Sequence, residues 1–152
     1  MIKGIYESHL PVKDLDRSIE FYRELELKLA WRSSKTAFFW IVEGESWLGL
    51  WEGKEFKTQY HPSLRHLAFT ISYEDMKSSL EWLKSKGISA VPFGSRTSVE
   101  PFVRPYQGNA SVYFEDPDGN SLELMCYVEV PEHLRENEKV SLEEWEELHI
   151  KK

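Results

Sequence analysis

The sequence predicts an α+β fold: two strand–helix–three-strand modules followed by a short C-terminal helix. Three observations carry this reading. Leu15, Ile19 and Tyr22 recur at helical spacing, and Met76, Leu80 and Leu83 repeat that stripe 61 residues later. A strand-like run precedes each stripe, ending at Val12 in the first case and at Ile71 in the second. Short apolar runs separated by turns follow each stripe, and the strongest turn is Asp116-Pro117-Asp118-Gly119.

The elements follow in order. Residues 4–12 alternate loosely and form the first strand. Asp14 opens the first helix, whose Arg17, Glu20, Arg23 and Glu24 lie mostly off the apolar stripe. Residues 27–33, 36–43 and 46–52 read as three strands joined by the turns Ser33-Ser34-Lys35 and Glu43-Gly44-Glu45. His61-Pro62-Ser63 marks a break before the strand 64–71. The second helix carries Met76, Leu80 and Leu83 and stops at Gly87. Residues 88–92 form a strand, 93–109 an irregular loop of the length that functional lids have, and 110–115 and 120–128 the last two strands. Residues 131–152 extend beyond the modules, and Ser141 with Glu144 has capping-box spacing ahead of an apolar pair, Leu142 and Trp145. The organisation is therefore one domain over 1–130, with modules at about 4–53 and 64–128, and an extension over 131–152.

Composition bounds the function. With 152 residues the chain is long enough for a buried core. The net charge of −7 argues against nucleic acid or an anionic membrane as partner. No apolar run reaches membrane-spanning length, and the first residues lack a signal peptide's apolar stretch, so a cytoplasmic location is expected. The single Cys126 excludes an intrachain disulfide and a cysteine zinc knuckle; its position reads as core packing rather than as a nucleophile. His61, His133 and His149 show no partner pattern and read as surface residues.

Three stretches carry a family resemblance: His9 to Tyr22, Arg65-His66-Leu67-Ala68-Phe69, and Tyr113 to Leu124 with its Asp-Pro-Asp-Gly turn. They resemble the vicinal oxygen chelate superfamily of glyoxalases, methylmalonyl-CoA epimerases, extradiol dioxygenases, and fosfomycin- and bleomycin-resistance proteins. The resemblance implies two βαβββ modules whose curved mixed sheets surround a cleft holding one divalent metal ion (Zn, Mn, Fe, Ni or Co). It also implies a small-molecule substrate chelated through adjacent oxygens and a homodimer. The family's usual Leu-Gly after the first helix is Leu25-Glu26 here, which alters a turn.

The same resemblance points to ligands. Glu123 stands four residues after the Asp-Pro-Asp-Gly turn, where the family keeps its last carboxylate. His66 matches the second-module histidine. Read without the family, Glu123 is an outward residue of an alternating strand and His66 a satisfied core histidine. The first strand leaves alternatives open. Counting five residues back from Val12 gives Glu7, and the internal repeat agrees, because His66 is five before Ile71. Glu7 then binds metal, with His9 beside it as acid/base or substrate contact. Alternatively His9 binds and Glu7 supports it, or both are structural. Glu7 and His9 share a face in every case.

At the fourth-strand position where glyoxalases carry a proton-moving Glu or Gln stands Gly49, which can neither ligate nor take a proton. That weakens a glyoxalase reading; fosfomycin-type enzymes also lack this ligand. Trp47 and Trp51 share Gly49's face, with room expected between them. Ser111-Val112-Tyr113-Phe114 resembles the Ser-Ile-Tyr-Phe of fosfomycin thiol transferases, where the hydroxyls help hold the phosphonate. The resemblance thus implies Ser111 as a substrate contact and Tyr113, with His9, as a catalytic candidate; read without the family, Ser111 and Tyr113 are one face of a half-exposed strand. Arg96 and Arg104, in the long loop, are placed to clamp an anion, although loop arginines in an acidic protein are as often solvated. The expected activity is that of a metal-dependent enzyme of lyase/isomerase, thiol-transferase or dioxygenase type. Its rival is a metal-free binding protein that sequesters a small molecule or antibiotic.

Overall fold

The computed structural model describes residues 1, 3–53 and 65–149. Contacts divide the chain into two compact units: Met1–Leu67 with Asp116–Ser121, and Ala68–Glu115 with Leu122–Lys152.

The first unit holds β1 (Glu7–Val12), α1 (Leu15–Glu24), β2 (Lys28–Arg32), β3 (Thr36–Val42) and β4 (Ser46–Glu52), with the sheet order β1-β4-β3-β2. β1 runs parallel to β4, with Glu7 opposite Trp47 and His9 opposite Gly49. β3 is antiparallel to both neighbours. One sheet face is apolar and buries Leu10, Val12, Ala37, Phe39, Leu48 and Leu50; α1 buries Leu15, Ile19 and Tyr22. These are the three stripe residues expected from spacing. Asp14 caps α1 by accepting the Arg17 amide at 3.0 Å, as its position ahead of the stripe predicts. At Leu25-Glu26 the turn places Glu26 at φ 65°, a left-handed conformation that costs a non-glycine residue energy.

The Asp-Pro-Asp-Gly segment is more than a hairpin turn. Tyr22 donates its phenol to Asp116 at 2.9 Å, Arg17 pairs with Asp118 at 3.1 Å, and Asn120 donates to the Pro11 carbonyl at 2.9 Å. Arg65 donates to Asn120 at 2.7 Å. Asp116 and Asn120 are buried, so these bonds form away from water and tie residues 116–121 onto β1 and α1.

The second sheet has the order β10-β7-β8-β9-β5, with β6 also on β8. Its elements are β5 (His66–Thr70), α2 (Tyr73–Ser85), β6 (Ala90–Val91), β7 (Phe102–Arg104), β8 (Asn109–Glu115), β9 (Ser121–Tyr127), β10 (Val140–Ser141) and α3 (Leu142–His149). α2 starts at the Ser72 cap and buries Met76 and Leu83, with Ser79 beside them and Leu80 half-buried. The expected irregular loop 93–109 is partly regular. β6 and β7 pair with successive stretches of β8, Ala90 with Phe114 and Phe102 with Ser111. They act as one strand interrupted by residues 92–101. The Phe102-Val103-Arg104 triplet is too short for a periodic signal, and its pairing with β8 decides its state. After it the C-terminal extension adds β10 to the free edge of β7. The capping box forms: Ser141 Oγ accepts the Glu144 amide at 3.1 Å, while Glu144 accepts the Ser141 amide at 2.9 Å. Leu142 and Trp145 are buried as their spacing predicts. No helix among the described residues is long and apolar enough to cross a membrane.

Candidate metal and oxyanion site

In the first unit, the face of β1 and β4 opposite the apolar core carries Glu7, His9, Trp47, Gly49 and Trp51. Four of these side chains form one hydrogen-bonded row. The Trp51 indole N–H donates to His9 Nδ1 at 2.5 Å. His9 Nε2 lies 3.2 Å from Glu7 Oε1, and the Trp47 indole N–H donates to Glu7 Oε2 at 2.8 Å. An indole only donates and a carboxylate only accepts, so the imidazole proton sits on Nε2. The Trp47 hydrogen bond first, and then the His9 contact, hold the Glu7 carboxyl below its ordinary pKa. Phe38 stands edge-on to His9 at 5.8 Å between centroids.

The space expected between Trp47 and Trp51 is not open. The His9 ring fills it. A Cβ at position 49 would come within 2.7 Å of His9 Nδ1 and 3.0 Å of Phe38 Cε1. Glycine is required here because a ring from the neighbouring strand crosses its backbone, and the parallel pairing of His9 with Gly49 brings that about.

His66 opens β5 half-buried. Its Nδ1 is 3.1 Å from both the carbonyl oxygen and the Oγ of Ser121. A carbonyl only accepts, so Nδ1 carries the proton and, in the neutral ring, Nε2 carries the lone pair. Metal-ligating histidines are oriented in this way.

The second unit holds a buried charged cluster. Arg104, expected on a loop, is the last residue of β7 and only 5% exposed. It donates to Ser111 Oγ at 2.6 Å, to Tyr113 Oη at 2.7 Å and to Asn109 Oδ1 at 3.1 Å. Both its terminal nitrogens lie 3.4 Å from Glu123 Oε1. Glu123 is 3% exposed, so it is no outward strand residue. Ser111 and Tyr113 are buried as well. Burial first, and then the Glu123 charge, push the Tyr113 phenol well above its ordinary pKa, although Arg104 opposes this. Aromatic rings complete the cluster: the Arg104 guanidinium carbon is 4.7 Å from the Phe102 centroid and 5.2 Å from that of Phe93, and Phe93 stacks on Tyr113 at 4.5 Å. Arg96 does not hydrogen-bond to this cluster. It is half-buried, with its guanidinium carbon also 4.7 Å from the Phe102 centroid. Cys126 is buried, and burial raises its thiol pKa, as expected of a packing residue. His133 is exposed, as its lack of partners suggested, while His61 and the His149 side chain lie outside the described residues.

Glu7, His9, Trp47 and Trp51 are thus brought together, and so are Arg104, Ser111, Tyr113 and Glu123. Sequence reasoning missed Phe93, Phe102 and Asn109, because they lay in a segment read as loop; the one available signal was the apolar pair Phe102-Val103 ahead of Arg104. The individual donors suit a divalent cation: two carboxylates, and an imidazole whose Nδ1 is already tied back. Within each unit, among the described residues, no three His, Cys, Asp or Glu side chains gather at cation-binding distance.

The model of the Glyoxalase/Bleomycin resistance protein/Dioxygenase superfamily matches residues 5–124. The chain belongs to this superfamily. A metallothiol transferase FosB from Staphylococcus saprophyticus is 32% identical over 126 residues, which cover 82% of this chain and 77% of the relative. Among solved structures, the fosfomycin resistance protein FosX from Listeria monocytogenes, complexed with Mn(II) and sulfate, is similar at TM-score 0.59 and 27% identity. That match covers 89% of this chain and 96% of FosX. An integron cassette protein from the Halifax Harbour sewage outfall metagenome matches at TM-score 0.65 and 26% identity, over 82% of this chain and 99% of that one. β10 and α3 lie beyond the span that the superfamily model matches.

Proposed function

We propose that this superfamily member is a divalent-metal-dependent transferase that adds a thiol to a small substrate carrying a tetrahedral oxyanion, such as the phosphonate of fosfomycin. The observation that carries this reading is the Arg104 cluster. A buried guanidinium converges with two hydroxyls, those of Ser111 and Tyr113, and a buried carboxylate lies beside them. Guanidinium plus hydroxyl donors is the chemistry that recognises a tetrahedral anion. The similar FosX bound sulfate together with Mn(II), and the curated relatives are metallothiol transferases.

Glu7, His66 and Glu123 are the ligands in this reading. The ion supplies Lewis-acid polarisation of the substrate oxygens. Trp47 holds the Glu7 carboxylate in its anionic form, Ser121 fixes the His66 tautomer, and Arg104 lies beside Glu123 and offsets its charge. His9 and Tyr113 are the catalytic candidates, and Trp51 orients His9 through the indole bond. Trp47 and Trp51 wall the substrate side. Gly49 leaves the chain without the fourth-strand carboxylate of glyoxalases, which favours thiol transfer over proton-shuttling isomerisation. A homodimer, with modules paired within one chain or between two, and a cytoplasmic location go with this reading.

The test is metal analysis of protein purified without added metal or chelator, together with thiol-transfer assays on fosfomycin. About one divalent ion per chain is expected. His66→Ala and Glu123→Ala should each weaken metal affinity at least tenfold, which is the smaller loss seen when only an outer partner is removed. Glu7→Gln should lose metal, whereas His9→Gln should keep metal and lose turnover. Full occupancy in His66→Ala overturns the ligand set. Wild-type protein that binds fosfomycin with no metal and no turnover would favour the metal-free sequestering alternative.

A further inference from the structure

A cavity of about 620 Å³ opens in the second unit, and the reading above does not use it. Phe93, Arg96, Tyr106, Glu136, Glu138 and Lys139 are among its lining residues. Its size lies within the range of small-molecule sites. One wall is the turn Phe93 to Arg96, closed by the Arg96 amide on the Phe93 carbonyl at 3.1 Å, with Gly94 at φ 58°. The other is the segment 136–139, which leads into β10 and is held in place by the pairing of Val140 with Val103 and of Ser141 with Phe102. That segment lies beyond residues 5–124, the span that the superfamily model matches.

The charges in the cavity are sorted. Arg96 and Lys139 are half-buried against rings: the Arg96 guanidinium carbon is 4.7 Å from the Phe102 centroid, and Lys139 Nζ is 5.0 Å from that of Phe93. Neither makes an ion pair among the described residues, although the chain has 26 acidic residues to 19 basic ones. Arg96 Nε is buried and meets no acceptor. Glu136 and Glu138 line the same cavity but are exposed. Two cations held back on rings and two solvent-facing carboxylates are complementary to a zwitterion. The Phe93 and Tyr106 rings suit an apolar side chain beside its two charged groups.

We propose that this cavity is a binding site for a small α-amino acid. The ligand carboxylate lies on Arg96 and Lys139, its ammonium group faces Glu136 and Glu138, and its side chain packs on Phe93 and Tyr106. Arg96 then belongs to this second site rather than to the oxyanion site of Arg104.

The test is an amide-shift titration of the full chain, in the presence of chelator, with L-phenylalanine as the probe. Chelator removes any dependence on the metal centre, so the outcome is separate from that of the proposed activity. Saturable shifts are expected at residues 93–96 and 137–139, with a dissociation constant of the order of millimolar for so small a ligand. 3-Phenylpropanoate, which lacks the ammonium, and phenethylamine, which lacks the carboxylate, should each bind about tenfold more weakly. Arg96→Gln and Lys139→Gln should each weaken phenylalanine binding to a similar degree, with the rest of the spectrum unchanged. The proposal is overturned by an absence of saturable shifts at these residues, by equal affinity for either control, or by variants that bind as the wild type does.

Discussion

Arg104→Met keeps the length of an apolar stem and removes the charge. Three consequences follow from the geometry. Ser111 and Tyr113 each lose a donor, at 2.6 and 2.7 Å, and the guanidinium is removed from beside a carboxylate that is only 3% exposed. Breaking a buried ion pair from one side costs about 3–5 kcal/mol. The 3.4 Å separation from Glu123 is long, which places the pair near the low end, at about 3 kcal/mol. For a chain of this size each kcal/mol moves Tm by roughly 2–4 °C, so Tm should fall by about 6–12 °C. Thermal unfolding followed by circular dichroism with chelator present measures this without a contribution from bound metal. The double variant Arg104→Met/Glu123→Leu should recover most of the loss, because replacing both partners of a buried pair with apolar groups is often close to neutral. A loss below about 1 kcal/mol in the single variant would refute the argument that the pair is buried and mutually compensating. So would a double variant as unstable as the sum of its parts.

Three further expectations follow from single positions. Gly49→Ala brings a methyl to 2.7 Å from His9 Nδ1, so the ring must move and the Trp51 bond must break. The cost is about 1–3 kcal/mol, and the Trp51 indole N–H resonance should shift; an unmoved resonance would contradict the crossing of the ring over Gly49. Glu26→Gly relieves a left-handed residue at φ 65° and should raise stability by roughly 1 kcal/mol in denaturant titration, whereas a loss would show that the Glu26 side chain matters more than its backbone. The phenols of Tyr22 and Tyr113 are raised well above 10, and that of Tyr73 to about 12, with burial the leading cause in each. The unfolded chain gives up these protons near pH 10, before the folded chain does, so their contribution to stability should be constant below that and be lost as pH rises through 10 to 12. Stability that is flat across that window would contradict the burial of these hydroxyls.

The sequence alone determined the repeat, the two helices and their buried stripes, the Asp14 cap and the capping box before α3. Each of these rests on contacts between residues a few positions apart, which periodicity and capping chemistry encode directly. It also marked Glu7 and His9 as sharing a face, because strand parity is local. The tertiary structure decided what those side chains touch. His9 fills the space above Gly49 only because β1 and β4 lie parallel in one register, with the paired positions 40 apart in the sequence. Arg104 read as a loop cation because three residues of strand carry no period; its pairing with β8 turned it into a buried partner of Ser111, Tyr113 and Glu123. Asp116 to Gly119 read as a turn between two strands, yet Tyr22, Arg17 and Pro11, about 100 residues earlier in the chain, bind residues 116–121 into the first unit. Periodicity records which face of an element is apolar. Which residues meet across that face depends on strand order and register, and these are set by the packing of the whole sheet rather than by any short segment of the chain.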